Sequence, residues 1–345
     1  MGVRYATREQ VKAAADWSLT TQDAAIDRQI EAASREVERL LHRHFYPLTA
    51  TYRYPWPNPA QNSAVTLYVE ADLLAVTTLV ADTTTIVAAD YFLEPNRLGP
   101  PYRRIDIDQA STASFESADH AARSIAITGR WGYSEDTEAA GELAEADDGT
   151  ETALDVTDSS LIGVGDLILI GTEQLSVTGK ALLTTGTTLN DTLAALNSDV
   201  LVTVASGAAI KQGEVITLDA ERMLVESISG NDLTVKRAFD GSVLAAHSTG
   251  ITVYAPRTLT VERARAGTTA ATHASAAAIV RNVPPQLITD FCIALVLSGR
   301  GQEKSSYSLT VGQGDGEQEA RGLSVRHLAK RVEDIYLRTR GPAAV

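Results

Sequence analysis

Leu233-Thr-Val-Lys-Arg-Ala-Phe-Asp-Gly-Ser-Val-Leu-Ala-Ala-His247 returns 26 residues later as Leu259-Thr-Val-Glu-Arg-Ala-Arg-Ala-Gly-Thr-Thr-Ala-Ala-Thr-His273, with eight of fifteen positions identical. Upstream, Val156–Thr178 aligns on Val204–Glu226 at a spacing of 48. The matches are Val156/Val204, Gly165/Gly213, Ile168/Ile216, Glu173/Glu221 and Val177/Val225, with Asp166/Glu214 similar. Self-similarity at a fixed spacing marks a supersecondary unit used more than once. Each copy reads as a Gly turn, an alternating strand, a polar turn and a second strand, which is a hairpin. Residues 150–280 are therefore expected to be all β, as two related small barrel-like or sandwich-like units, the last incomplete.

Charge sets this region apart from its flanks. The chain carries 44 acidic and 30 basic residues, a net charge of −14. Residues 135–282 hold 21 acidic and 9 basic of these (−12), residues 1–134 hold 16 and 13 (−3), and residues 283–345 hold 7 and 8 (+1). A small-residue acidic linker, 135–155, opens the segment. Neutralising DNA phosphates takes clustered Lys and Arg, so a dedicated nucleic-acid binder is not expected. The single cysteine, Cys292, excludes an intrachain disulfide and a Cys-based zinc site. No run of 18 apolar residues is present, and Met1–Gln10 lacks the apolar core of a signal peptide. Neither membrane insertion nor secretion is expected, and synthesis in the cytoplasm is.

The flanks read as helix and short strand. Thr7-Arg8-Glu9-Gln10 has the form of a capping box and opens a helix to Ala15. Thr20-Thr21-Gln22-Asp23 opens a longer one, with Ile26, Ile30, Ala33, Val37, Leu40, Leu41 and Phe45 on one face, until Pro47 stops it. The stripe of Ile26, Ile30, Val37, Leu40 and Leu41 has to be buried, in the chain's own core or on a neighbouring copy. Between residues 48 and 134, short β-like runs (Tyr52–Tyr54, Thr66–Val69, Ala75–Val80, Thr85–Val87, Ile105–Ile107 and Ser124–Thr128) alternate with turns. Val283-Pro284-Pro285 starts an apolar helix through Leu287, Ile288, Phe291, Leu295 and Val296. A Gly-rich loop, expected to be mobile, spans 305–318. Val325, Leu328, Val332, Ile335 and Tyr336 form a last stripe within 321–340, where six basic residues face two acidic ones. The expected class is α+β: a helical core with short strands from residues 1–134 and 283–345, and an all-β domain of repeated hairpins, 135–282, inserted between them.

Candidate chemistry is sparse. Cys292 sits on an apolar helix face, as a packed core thiol does. There is neither a G-x-S-x-G elbow nor a P-loop. His42 and His44, two residues apart, point to different sides of a helix. His247 and His273 hold equivalent repeat positions, so duplication of a packing residue explains them as readily as paired metal ligands. Asp147-Asp148-Gly149 lacks the ligand ladder of a calcium loop. Carboxylate pairs suited to glycoside hydrolysis stay open, because their separation is not legible in sequence. No catalytic residue, cofactor or metal is expected, and the chain is read as a non-enzyme. The alternatives are a carbohydrate- or host-binding module on an oligomerising base, and a wall-degrading hydrolase.

Several stretches carry a resemblance. The helix running into Phe45-Tyr46-Pro47, the run Leu67-Tyr-Val-Glu-Ala-Asp-Leu-Leu-Ala-Val-Thr-Thr-Leu79, Tyr91-Phe-Leu-Glu-Pro95, Ile127-Thr-Gly-Arg-Trp-Gly-Tyr133 and Val283-Pro284-Pro285 are involved. In order and spacing they resemble the gp6-like head–tail connectors of tailed bacteriophages, over 1–134 and 283–345. In that family the Gly-Tyr strand end leads almost directly to the Val-Pro helix, so 135–282 is an addition. The resemblance implies a structural protein of the virion neck, assembled in the host cytoplasm. It would form a dodecameric ring beneath the portal protein, dock a stopper or tail-terminator protein, and let DNA pass through its channel without specific binding. The resemblance makes Leu323–Arg340 the portal-docking element. Leu328, Val332, Ile335 and Tyr336 would be its apolar anchors, and Arg326, Lys330, Arg331 and Arg338 would supply complementary charge.

Overall fold

A computed structural model describes residues 2–17, 19–57, 65–115, 121–304, 310–311, 318–319 and 322–338. Most of the Gly-rich loop lies outside the described residues. Among the described residues there are four α-helices: α1 (Arg8–Ala15), α2 (Asp23–Leu41), α3 (Gln286–Lys304) and α4 (Gly322–Tyr336). None is long and apolar enough to cross a membrane. The chain forms two compact units. One comprises Glu36–Asp136, Val283–Ile288 and Arg326–Val345; the other comprises Met1–Arg35, Thr137–Asn282 and Thr289–Val325.

The first unit is built on a sheet, not on helices, which corrects the expected helical core. Strands β1 (Leu48–Tyr54), β2 (Thr66–Ala81), β3 (Thr84–Ile86), β4 (Tyr91–Glu94), β5 (Tyr102–Ile107) and β6 (Ile125–Trp131) pair antiparallel. Their order is β1-β6-β2-β5-β4, with β3 on β2. The reason lies in β2. Its sixteen residues read as two short runs because bulges between Tyr68 and Leu73, and again after Leu73, shift which face its side chains meet. Across the bulges β2 is continuous and pairs with β5 at one end and β6 at the other. Leu73, Ile105, Ile125, Ile127 and Trp131 fill the resulting core. Gly129 is needed there: a Cβ would lie 2.1 Å from the Ala75 carbonyl oxygen across the β2–β6 ladder.

The second unit explains both repeats at once. Its strands are β7 (Thr137–Glu142), β8 (Ala153–Asp155), β9 (Leu167–Ile170), β10 (Glu173–Thr188), β11 (Leu201–Thr203), β12 (Val215–Leu218), β13 (Glu221–Ser229), β14 (Asp232–Lys236), β15 (Thr252–Glu262) and β16 (Ala278–Asn282). They form one ten-stranded antiparallel sheet that contains the same barrel twice, one copy threaded into the other. The outer barrel runs β7-β16-β9-β10-β15-β8, and the Leu143↔Val156 bridge closes it. The inner barrel runs β10-β15-β12-β13-β14-β11, and the Leu189↔Val204 bridge closes it. The long strands β10 and β15 serve both. Register agrees residue by residue: Val177↔Val261 with a bulge before Gly179 matches Val225↔Val235 with a bulge before Ser227. Each barrel has its own core, with Ile168, Leu175, Leu259 and Ile279 in the outer and Ile216, Met223, Leu233 and Val253 in the inner.

Helix α1 docks on this unit. Its capping box at Thr7 forms, and the Glu9 carboxylate accepts the Val164 N–H at 2.8 Å in the first turn of the outer barrel. Lys12 reaches both Asp23 and Asp240.

Candidate functional site

The most buried charged groups of the second unit form two copies of one constellation. In the inner barrel Glu221 opens β13, and Arg237 follows directly on β14. The Arg237 Nε donates to Glu221 Oε1 at 2.7 Å and its Nη2 to Oε2 at 2.8 Å. The amides of Ala238 and Ala245 each donate to the same carboxylate at 3.0 Å, and His247 Nε2 adds a fifth bond at 2.9 Å. The outer barrel repeats this around Glu173. Arg263 bonds it at 3.1 and 2.6 Å, and Ala264, Ala271 and His273 each bond it at 3.0 Å.

The local backbone serves the carboxylate. Ala238 (φ 51°) and Ala264 (φ 53°) are left-handed, a conformation that costs a non-glycine residue on the order of 1–2 kcal/mol. Such strain persists where surrounding contacts over-determine it, and here it aims each amide at the glutamate. The guanidiniums close the neighbouring loops. Arg237 donates to the carbonyls of Ala194, Asp199 and Ala245. Arg263 donates to those of Glu151 and Ala271 and to the Asp147 carboxylate at 2.7 Å.

Two differences separate the copies. Leu193 takes the inner-barrel place of Asp147, each bridging to its histidine, so Arg237 has one carboxylate where Arg263 has two. Asp219 meets His247 Nδ1 at 3.0 Å, where the outer barrel has the left-handed Gly171.

Burial disfavours charge on Glu173 and Glu221, but the bonds from the arginine, the two amides and the histidine outweigh it and hold each carboxyl down at about 2. Both glutamates are ionised, fully buried and surrounded by donors. Such a carboxylate has no free lone pair with which to take a proton or attack a substrate. Each constellation is a clasp that pins the long loop after its second strand. The matched positions were legible as the repeat pairs Glu173/Glu221, Arg237/Arg263 and His247/His273; their convergence on one carboxylate was not. Among the described residues, no group of three or more His, Cys, Asp or Glu is placed to hold a metal ion.

A third carboxyl behaves oppositely. Burial pushes Asp166 up to about 6, against the Gly163 N–H it accepts at 2.7 Å and the field of Arg281. Its inner-barrel equivalent, Glu214, is paired with Arg257 at 2.6 Å.

The residues singled out from sequence fall as follows. Ile26, Ile30, Val37 and Leu41 are fully buried in the protomer, and Leu40 is half-buried. Cys292 is buried against Ser34, with Sγ and Oγ 3.6 Å apart, and burial pushes its thiol up to about 11. On α4, Val332 is 0% exposed, and Tyr336 packs edge-on against Phe45 and Tyr133. Both are anchors of their own unit. Ile335 is 55% exposed, Leu328 is half-buried, and Arg326, Lys330 and Arg331 are exposed. Arg338 is half-buried beside β1. Compared with protein-family models, with curated proteins and with solved structures, the chain gives no match.

Proposed function

We propose that the protein is a non-enzymatic structural component of a tailed-bacteriophage neck. In this reading it is a head–tail adaptor that assembles as a ring under the portal and docks the next neck or tail component. The observation that carries the reading is that stretches far apart in sequence, Glu36–Asp136, Val283–Ile288 and Arg326–Val345, fall in one compact unit. Val283 donates its N–H to the Asp136 carbonyl at 2.8 Å, so the chain leaves and returns at neighbouring points. Residues 36–136 and α4 close over one another through Phe45, Tyr133, Tyr336 and Val332. Of the stretches that carry the resemblance to connectors, Glu36–Asp136, Val283–Ile288 and Arg326–Val345 share this unit, while Met1–Arg35 and Thr289–Val325 fall in the unit of Thr137–Asn282. The saturated clasps support a bracing role for the added region over a catalytic one.

The exposed face of α4, with Arg326, Lys330, Arg331 and Ile335, is the surface assigned to the portal. Negative-stain images of the purified protein mixed with portal-bearing heads test this. Neck density on the heads is expected with the wild type. R326E/K330E/R331E should lose it while keeping the wild-type melting curve. Undiminished attachment by the triple variant, or no attachment by the wild type, overturns the assignment.

A further inference from the structure

Strand β1 is one edge of the six-stranded sheet, and among the described residues it pairs with β6 alone. Its register with β6 runs from Leu48↔Trp131 to Tyr54↔Ile125 without a bulge, and neither proline nor lysine interrupts it. Folded proteins usually interrupt an exposed edge in such ways, because its unpaired N–H and C=O groups template another strand. The opposite edge, β4, is four residues long and runs into Pro95. Four consecutive residues of β1, Thr51–Tyr54, line an open groove of about 700 Å³ in the first unit. Thr51 and Arg53 are exposed on one face of the strand, and Tyr52 and Tyr54 pack on the core side. Arg123 and Arg338 also line the groove, with Glu70 as its one acid. Among the described residues, none of the three guanidiniums has an ion-pair partner.

The strand edge and the charge together select the occupant. An open edge offers backbone donors and acceptors alike. A phosphate backbone or a free oxyanion carries acceptors only and would leave the β1 carbonyls unmet, whereas a second extended polypeptide supplies both. The arginines then set the sign of its side chains, since opposite charges stabilise cross-strand neighbours and like charges oppose them. The same rule disfavours pairing β1 with β1 of a second copy, which would bring two such arginine clusters together. We propose that the β1 edge takes up an extended acidic peptide segment of a partner protein as an added strand. Ladder bonds to Thr51–Tyr54 hold its backbone, and Arg53, Arg123 and Arg338 select its carboxylates. Four residues of edge span about 13 Å, so a segment of about four to six residues with acids at alternate positions fits. The proposal does not depend on the neck reading.

Fluorescence anisotropy with a labelled peptide of about eight residues, alternating glutamate and valine, tests this. The controls are the same peptide N-methylated along its backbone and a lysine–valine peptide. The wild-type protein should bind the glutamate peptide and neither control. R53Q/R123Q/R338Q should weaken that binding about tenfold or more. R28Q/R39Q/R97Q, which removes the same charge outside the groove, should leave it unchanged, and thermal melts establish that both variants fold. Hydrogen exchange on the wild type locates the added strand. Peptide at about 100 Kd should slow the exchanging amides of Thr51–Tyr54 by about 100-fold and leave those of β4 unchanged. No binding of the glutamate peptide, equal binding of its N-methylated form, protection at β4 in place of β1, or full affinity in R53Q/R123Q/R338Q overturns the proposal. So does a DNA duplex that binds the groove as tightly as the peptide, which would mark a site that reads charge alone. Self-association lost in R53Q/R123Q/R338Q would mark a contact between copies and equally overturn it. Because the assay uses neither portal nor heads, a negative result here leaves the neck assignment to its own experiment.

Discussion

The two clasps allow one substitution to be made twice in the same molecule, with unequal consequences. Glu221→Gln removes the charge opposite Arg237 and turns an acceptor oxygen into an NH₂ group facing donors. Breaking a buried pair from one side costs about 3–5 kcal/mol, because the remaining charge is left uncompensated. Among the described residues Arg237 has no second carboxylate, so E221Q should sit near the middle of that range, about 4 kcal/mol. Arg263 keeps Asp147 at 2.7 Å when Glu173 is replaced. One retained charge-assisted bond is worth about 1.5–3 kcal/mol, so E173Q should cost only about 2 kcal/mol. Hydrogen exchange resolves the two barrels. The His247 amide, bonded to the Leu193 carbonyl, and the His273 amide, bonded to Asp147, are equivalent reporters. E221Q should speed exchange at His247 by about 1,000-fold, at 1.4 kcal/mol per decade, and leave His273 near its wild-type rate. E173Q should act on His273 alone, by about 30-fold on the same scale. Equal effects, a larger effect for E173Q, or loss of protection spreading through both barrels would refute the reasoning.

Three further outcomes are expected. Asp166→Asn should stabilise the protein above pH 6 and not below pH 4. The folded carboxyl holds its proton up to about 6 against an ordinary 3.8, so the wild type loses stability as pH rises through that window. Urea midpoints at pH 4 and 7.5 check the sign. Cys292 should resist a thiol reagent at pH 8 and react only as fast as the protein opens, since its sulfur is buried and its thiol is held protonated; labelling rates with and without urea decide this. Gly129→Ala should cost about 3 kcal/mol or prevent folding of the first sheet, because the new methyl meets backbone across the ladder. Denaturation followed by tryptophan fluorescence, to which Trp56 and Trp131 of this core contribute, reports it.

Pattern alone carried the second unit a long way. Hairpin period, Gly turns and the matched Glu, Arg and His were all readable. The order of the repeats also carries the nesting. The first halves of the repeat come in the order outer, inner at a spacing of 48, and the second halves come inner, outer at 26. That reversal is the signature of one copy threaded through the other. Taken separately, the two spacings give two related units with the last incomplete, where the structure closes both barrels. Bulges in β2 break its alternation, so pattern alone gives a helical core with short strands where the structure has a six-stranded sheet. A helix stripe such as Ile26–Leu41 has no such interruption and stands out more strongly than it weighs in the fold.

By itself, then, the order of residues determined the local periods, the duplicated hairpins, the acidic segment and the apolar helix faces, since each depends on neighbours a few positions apart. Tertiary structure alone decided that Glu221 and Glu173 are saturated clasps, that Val332 and Tyr336 of α4 pack into their own unit, and that Arg53, Arg123 and Arg338 meet around one groove. Those outcomes depend on which distant groups share a volume from which water is excluded. A carboxylate's role is set by the donors that reach it there, and 26 to 100 residues of chain separate Glu221 from His247 and Glu173 from His273.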